Sequence, residues 1–426
     1  MLITFNGLNS NATNIRIIEQ LLFAFVMLYL NINGKLYLKT HEQIKNSNVR
    51  KLINKLKAFE KYRKPKYYIF SDFFGNKYCS DINAFTLFEY YLTNNITDSY
   101  YIINEDSDLY KNLKAENKTQ NLILINGRMN IYEKLFNYLL NSKIIVQSYV
   151  FVDFHFIVNN ITYLKYLYIN HGITYFKHNF ISSEFVYLNE NKRNIITSSP
   201  YEHSIFINKF NYSDKYIYPA GLARYDKYKT LKIEQNEKDC ILVSFTYRTF
   251  NSSFYKKSLY KKNINKLLND DSLISFLKKN NIDLIYIPHH YELLLKKTYD
   301  QSKYKYAKLL GQIDLTKYIN KCSLLITDFS SISFAFMFNK KPVLFYLIDY
   351  YDKSNMQEKL GMNVNNELFF GNSFLDKQSL IKKIKYFVKR KFKINKKLRY
   401  NYRSIFYYRH NICKRISNII EKIIIT

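Results

Sequence analysis

The sequence predicts an α/β protein built as two doubly wound units, each a mostly parallel sheet covered by helices. Three observations predict it. Short β-rich runs alternate with segments of helical apolar spacing between residues 67 and 199; a polar stretch, LKIEQNEKD (231–239), interrupts them; and the alternation restarts at residue 240. Strand–helix alternation calls for parallel strands joined by crossover helices. The chain has 426 residues, 47% of them hydrophobic, which fills two cores at roughly 100–200 residues per domain.

The elements follow in order. Residues 1–65 read as a basic helical extension that ends in KAFEKYRKPK, where Pro65 stops the helix. The first unit, 66–230, carries strands at YYIF (67–70), SYYIIN (99–104), NLILIN (121–126), KIIVQSY (143–149), LKYLYIN (164–170) and NIITSS (194–199). Helical spacing occupies 84–94 and 129–141 between them. The second unit, 231–380, carries CILVSFTY (240–247), a helix near 261–279, DLIYIPH (283–289), SLLITD (323–328), a helix from 330 and KPVLFY (341–346). A tail, 381–426, closes the chain; its first twenty residues hold ten basic side chains interleaved with apolar ones. Such a tail is either an amphipathic helix lying on an anionic membrane or a solvated terminal helix.

Charge and cysteines narrow the partners. The 65 basic and 34 acidic residues give a net charge of +31, which suits polyanions: nucleic acid, anionic membrane or phosphate-bearing substrates. Cys79, Cys240, Cys322 and Cys413 are scattered without metal or redox spacing, so reduced thiols are expected. The longest apolar run, Leu21 to Leu30, falls well short of the ~20 residues of a spanning helix and lacks a signal-peptide leader. A cytoplasmic protein is the expectation.

In doubly wound sheets ligands bind beyond the carboxyl ends of the strands. Four strand ends there carry chemistry. LLITDFSSISFAF (324–336) runs an apolar strand into Thr327 and Asp328, after which Ser330 and Ser331 open a helix. Its free N–H groups either take the serines as ordinary caps or, with the helix dipole, attract a phosphate. YINHGITYFKHN (168–179) delivers His171 and Gly172 to a loop, in a chain with only nine glycines. A neutral imidazole there is either a general base for an attacking hydroxyl or a polar loop residue. YIPHHYE (286–292) places His289 and His290 after Pro288, pointing to opposite sides of an extended segment. FTYR (245–248) ends its strand with Thr246 and with Arg248, whose guanidinium suits phosphate oxygens. In PAGLARYDKY (219–228), Arg224 and Asp226 form either a structural ion pair or a phosphate contact.

Taken in series, these segments resemble the teichoic-acid CDP-glycerol/CDP-ribitol phosphotransferase family over roughly residues 66–352. The likeness opens at IFSDFFGNKYCSDINAFTLFEYYL and runs through NHGI, TSSPYEHSIF, GLARYD, ILVSFTYR, IPHHYE and ITDFSSISFAF to KPVLFYLID. Pro200, Pro219, Pro288 and Pro342 fall in or beside these motifs. The resemblance implies a GT-B-like fold and transfer of an alditol phosphate, glycerol or ribitol phosphate, from a CDP-linked donor to a hydroxyl of a surface polymer, with release of CMP. It implies donor binding on the C-terminal domain and acceptor chemistry on the N-terminal one. His171 would be the base and His289 would bind or protonate the departing phosphate. Ser330, Ser331, Thr327, Asp328, Thr246, Arg248, His290 and Asp349 would line the donor site, with Gly172, Lys177, Arg224 and Asp226 on the acceptor side or in support. No cofactor or metal is implied. The partners would be the CDP-alditol, a lipid-linked or polysaccharide acceptor and the anionic inner face of the cell membrane, with no nucleic acid. Four departures stand out: Asn170 replaces the motif's Trp, His290 and Phe245 each replace a Pro, and Ala335 replaces an Asp.

Two other readings compete. A GT-B enzyme using a nucleotide sugar would present the same fold and helix-terminus phosphate site but make a glycosidic bond. A charge-driven nucleic-acid or membrane binder would rest on net charge alone; the sequence carries no nucleic-acid module.

Overall fold

The computed structural model describes residues 59–72, 82–125, 135, 137–148, 163–176, 193–229, 238–246, 248, 259–289, 300–310, 315–349, 369–370 and 372–426. The chain divides into two compact units, Met1–Ile169 with Ser417–Thr426, and Asn170–Ile416. Of the expected helical extension, residues 1–58 lie outside the described residues, as do the apolar run at 21–30 and Cys79; Phe59–Tyr62 forms a short 3-10 turn.

The first unit holds β1 (Tyr67–Ser71), β2 (Ser99–Asn104), β3 (Leu122–Ile125), β4 (Ser142–Gln147) and β5 (Tyr166–Tyr168). They pair in parallel in the order β3-β2-β1-β4-β5. Ile69, Ile102, Ile144, Ile145 and Val146 are fully buried, as expected of a parallel sheet covered on both faces. Helix α1 (Asn83–Thr93) follows β1, and α2 (Asp108–Ala115) follows β2 with Ser107 as its cap. Asp72, at the carboxyl end of β1, ties the unit together. It accepts from the N–H groups of Ala84 and Phe85 at the start of α1, from Tyr101 and from Ser148 beyond β4. Burial pushes its carboxyl group up in pKa, against those hydrogen bonds.

In the second unit a parallel pair, β6 (Asn194–Thr197) and β7 (Ile217–Pro219), flanks α3 (Pro200–Asn208). Six further strands are β8 (Cys240–Val243), β9 (Asp283–Tyr286), β10 (Lys308–Leu309), β11 (Leu324–Thr327), β12 (Val343–Tyr346) and β13 (Ser373–Phe374). They form one parallel sheet in the order β10-β9-β8-β11-β12-β13. Reversal of direction at β8 and β11 is the doubly wound pattern, and it brings the carboxyl ends of β8, β9, β11 and β12 to one edge. The single helix expected at 261–279 is two, α4 (Leu259–Leu268) and α5 (Asp271–Lys279). Asp270 breaks it by capping α5, its carboxylate accepting from the Leu273 N–H. The remaining helices are α6 (Leu315–Lys321), α7 (Ile332–Phe338), α8 (Lys377–Lys389), α9 (Lys396–Ser404) and α10 (Ile412–Ile425).

The units divide at residue 169, not near 230, and aromatic side chains of the segment after 169 pack on α7 and its neighbours in the second unit. Phe176 stacks on Phe334 and Phe369, and Tyr225 packs on Phe338 and Phe406. The tail also differs from a single amphipathic or solvated terminal helix. Lys391 and Phe392 take positive φ and break it between α8 and α9. Leu380, Ile381, Ile384, Phe387, Leu398 and Tyr402 are buried in the protein, so the apolar stripe is already covered.

Candidate functional site

The site is built on the carboxyl ends of β8, β9, β11 and β12, all in the second unit, and on the loop 171–176 of the same unit. β11 is apolar and fully buried up to Thr327, which delivers Asp328 at 0% exposure. Asp328 Oδ1 accepts from the Thr246 N–H at 3.0 Å and the Thr246 hydroxyl at 2.8 Å, joining the ends of β11 and β8. Thr327 Oγ1 is buried and has no hydrogen-bond partner among the described residues.

Arg248 is 1% exposed, its guanidinium withdrawn from solvent. Its Nε and Nη2 donate to both oxygens of Asp349 at 2.7 and 3.0 Å, and Nη1 donates to the Thr246 carbonyl at 2.8 Å. Asp328 Oδ2 lies 2.8 Å from Nη2, an ion contact outside hydrogen-bonding geometry. The rings of Tyr260 and Phe329 each lie 4.8 Å from the guanidinium carbon. Burial works to lower the guanidinium pKa, but Asp328 and Asp349 outweigh it and hold the pKa above its ordinary value. Arg248 and Asp349, expected as donor contacts, thus form a buried clip across the ends of β8, β11 and β12. A bidentate fork with its donors committed to carboxylates leaves little for phosphate.

Ser330 and Ser331 follow Asp328, but the helix they were expected to open starts at Ile332. Ser331 occupies the cap position with φ −63° and makes no side-chain capping bond. The turn is closed instead by backbone, the N–H groups of Ser333 and Phe334 donating to the carbonyls of Ser330 and Ser331. The serine hydroxyls are therefore not spent as caps of α7.

The loop bearing His171 lies against this turn. A Cβ built on Gly172 would meet Ser331 Oγ at 2.9 Å and Ser331 Cβ at 3.1 Å, so glycine is required there by space. Beyond it, Tyr175 and Phe176 anchor the loop on α7 and β12: Phe334 lies 5.4 and 5.3 Å from the two rings and Phe345 lies 5.5 Å from Phe176. On its other flank Asn170 takes φ 57°, a left-handed value that asparagine adopts more readily than most residues. Its Oδ1 accepts from the Gly172 N–H at 3.2 Å, and its Nδ2 donates to Glu202 Oε1 at 3.1 Å. Glu202 also accepts from the N–H groups of Thr174 and Ser198, each at 2.6 Å. Burial drives its carboxyl pKa up to about 7 against the pull of those N–H donors. Glu202 stood inside the TSSPYE segment without a role assigned to it. Its signal was the Ser199–Glu202 spacing of a helix start, and Ser199 Oγ does accept from the Glu202 N–H.

His171 and His289 are both half-buried. Lys177 and His290 lie outside the described residues. Asp226 is structural: its carboxylate accepts from the Cys413 N–H at 2.8 Å, at the start of α10. Arg224 is half-buried, its guanidinium 5.9 Å from the Tyr225 ring.

Parallel strands wound in both directions, with the polar turns gathered at their carboxyl ends, place this molecule in the GT-B-like class of α/β folds. The chain belongs to the CDP-glycerol:poly(glycerophosphate) glycerophosphotransferase family, which it matches over residues 53–422. It is 32% identical over 213 residues to the minor teichoic acid biosynthesis protein GgaB of Bacillus subtilis (strain 168), covering 47% of this chain and 23% of that protein. It is 29% identical over 198 residues to the teichoic acid glycerol-phosphate primase of the same organism, covering 43% and 46%. The matched segments thus span less than half the length of either curated relative. Among solved structures, the wall teichoic acid polymerase TagF superposes with a TM-score of 0.61 at 19% identity, covering 92% of this chain and 98% of that one. S. aureus MnaA with UDP follows at 0.54 and 15%, covering 83% and 96%.

Proposed function

We propose that this chain transfers glycerol phosphate from CDP-glycerol to a hydroxyl of a cell-surface polymer, releasing CMP. Family membership supports the reaction class, and one observation carries the site: the His171–Gly172 loop touches the Ser330–Ser331 turn within a single unit. In this reading the base and the phosphate-holding turn stand side by side.

The chemistry follows from that contact. His171, as the neutral imidazole, takes the proton of the acceptor hydroxyl. The oxygen attacks the phosphorus that carries glycerol, the bond from that phosphorus to the bridging oxygen breaks, and CMP departs with the bonding pair. Negative charge grows on the CMP phosphate. The hydroxyls of Ser330 and Ser331 donate to it, and His289 supplies a further hydrogen bond or a proton. Thr246, Thr327 and Asp328 shape the turn, and the Arg248–Asp349 clip fixes the strand ends beneath it. The acceptor is polymeric or lipid-linked, at the inner face of the membrane. No helix among the described residues is long and apolar enough to cross a membrane. Attraction to the surface would then rest on exposed basic residues such as Lys382, Lys389, Arg390, Lys396 and Lys397, at about 1 kcal/mol each near anionic lipid.

CMP release in the presence of a lipid-linked glycerol phosphate acceptor tests this. CDP-glycerol should support release, and His171→Ala should lower turnover about 100-fold or more, the scale of general base catalysis, with donor binding retained. Near-normal turnover by His171→Ala removes the base assignment. Turnover of CDP-ribitol alone changes the alditol, and turnover of a UDP-sugar alone favours the glycosyltransferase reading.

A further inference from the structure

Glu202 is fully buried in the first turn of α3, and its recorded partners are N–H groups and the Thr174 hydroxyl. A carboxyl group is costly to bury at this depth, and its hydrogen bonds offset that cost. Its shape suggests why it stands there. A carboxylate accepts on every side, whereas the amide of glutamine would turn a donor toward one of the N–H groups. Oε1 receives Asn170 Nδ2 at 3.1 Å and the Thr174 N–H at 2.6 Å, while Oε2 receives the Ser198 N–H at 2.6 Å. Asn170 in turn receives the Gly172 N–H at 3.2 Å. The residues on both sides of His171 are therefore bound to one carboxylate, directly or through Asn170. The same loop runs close to Ser331 at Gly172, where an added Cβ would lie 2.9 Å from Ser331 Oγ.

We infer that Glu202 is a positioning residue for His171, holding through Asn170 and Thr174 the loop that aims the imidazole beside the Ser330–Ser331 turn. The inference rests on the reading of His171 as the base. Glu202 touches neither donor nor acceptor in this account; it acts only through the loop.

A double-mutant cycle tests it, read as CMP release from CDP-glycerol with a lipid-linked glycerol phosphate acceptor. Glu202→Gln should lower kcat at least about tenfold while KM for CDP-glycerol stays within about twofold, the signature of an interaction felt in the transition state. In the His171→Ala background the same substitution should cost less than about twofold more, because the group it positions is gone. A full, additive loss in that background, or a raised KM at unchanged kcat, overturns the inference. Asn170→Gly gives a second route. It keeps the positive φ but removes the amide linking the loop to Glu202, and should lower kcat in the same direction. If Glu202→Gln does not fold, normal kcat in Asn170→Gly overturns the inference by itself. Near-normal turnover of the His171→Ala single variant is a separate outcome, which removes the base reading and this inference with it.

Discussion

At the scale of single residues, Arg248 is the side chain whose surroundings decide its role. A guanidinium at 1% exposure, forked onto Asp349 and in ion contact with Asp328, neutralises two carboxylates that water no longer reaches. Removing one partner of a buried ion network leaves charge unpaired, at a cost of about 3–5 kcal/mol. Arg248→Ala should therefore lower unfolding stability by that amount in denaturant titration, and Arg248→Lys should recover only part, since an ammonium cannot fork across Asp349. A loss under about 1 kcal/mol for Arg248→Ala would mean the clip does not tie the strand ends. The sequence placed Arg248 directly after a strand at 240–247, whereas β8 ends at Val243 and Arg248 lies in the segment beyond it. Strand-end position is legible from a local run of apolar residues. The partner carboxylates, about 80 and 100 residues further on, come together only through the β8-β11-β12 order. Glu202 was hidden for the same reason: its helix-start spacing is local, but its bonds to Asn170 and Thr174 are not.

At the scale of elements, the turn from β11 into α7 is the part that the proposed donor chemistry depends on. Apolar strands β1, β2, β8, β9, β11 and β12 were readable because burial on both faces demands continuous runs such as CILV and LLIT. Helix boundaries were less so. Asp270 splits the expected helix at 261–279, and α7 starts after the serines, not at them. That displacement matters, because Ser331 makes no side-chain capping bond and the proposed donor site uses both serine hydroxyls. Hydrogen bonds to a charged acceptor contribute on the order of 1.5–3 kcal/mol each. Replacing both serines by alanine should weaken CMP or CDP-glycerol binding at least about tenfold in calorimetric titration, with the fold unchanged because alanine suits a helix start's neighbourhood. Wild-type affinity in the double variant would move the donor phosphates elsewhere. The C-terminal helices carry a different lesson. Alternating basic and apolar residues read as a membrane-lying or a solvated helix, and here Ile384, Phe387 and Tyr402 are buried in the core, leaving only charge for a surface.

At the scale of the whole molecule, a basic chain of the CDP-glycerol:poly(glycerophosphate) glycerophosphotransferase family brings the Ser330–Ser331 turn and the His171 loop together in one unit. Under the proposed reaction the net charge of +31 would also serve binding, since a CDP-linked donor and a glycerol phosphate polymer are both anionic. The central claim is the formation of a phosphodiester at the expense of CDP-glycerol. Phosphorus NMR of the reaction with a lipid-linked glycerol phosphate acceptor measures that bond directly. The account predicts a new phosphodiester signal that grows in step with CMP and is lost in His171→Ala. CMP appearing together with free glycerol phosphate and no phosphodiester, or no reaction of CDP-glycerol while a nucleotide sugar is consumed, would contradict it.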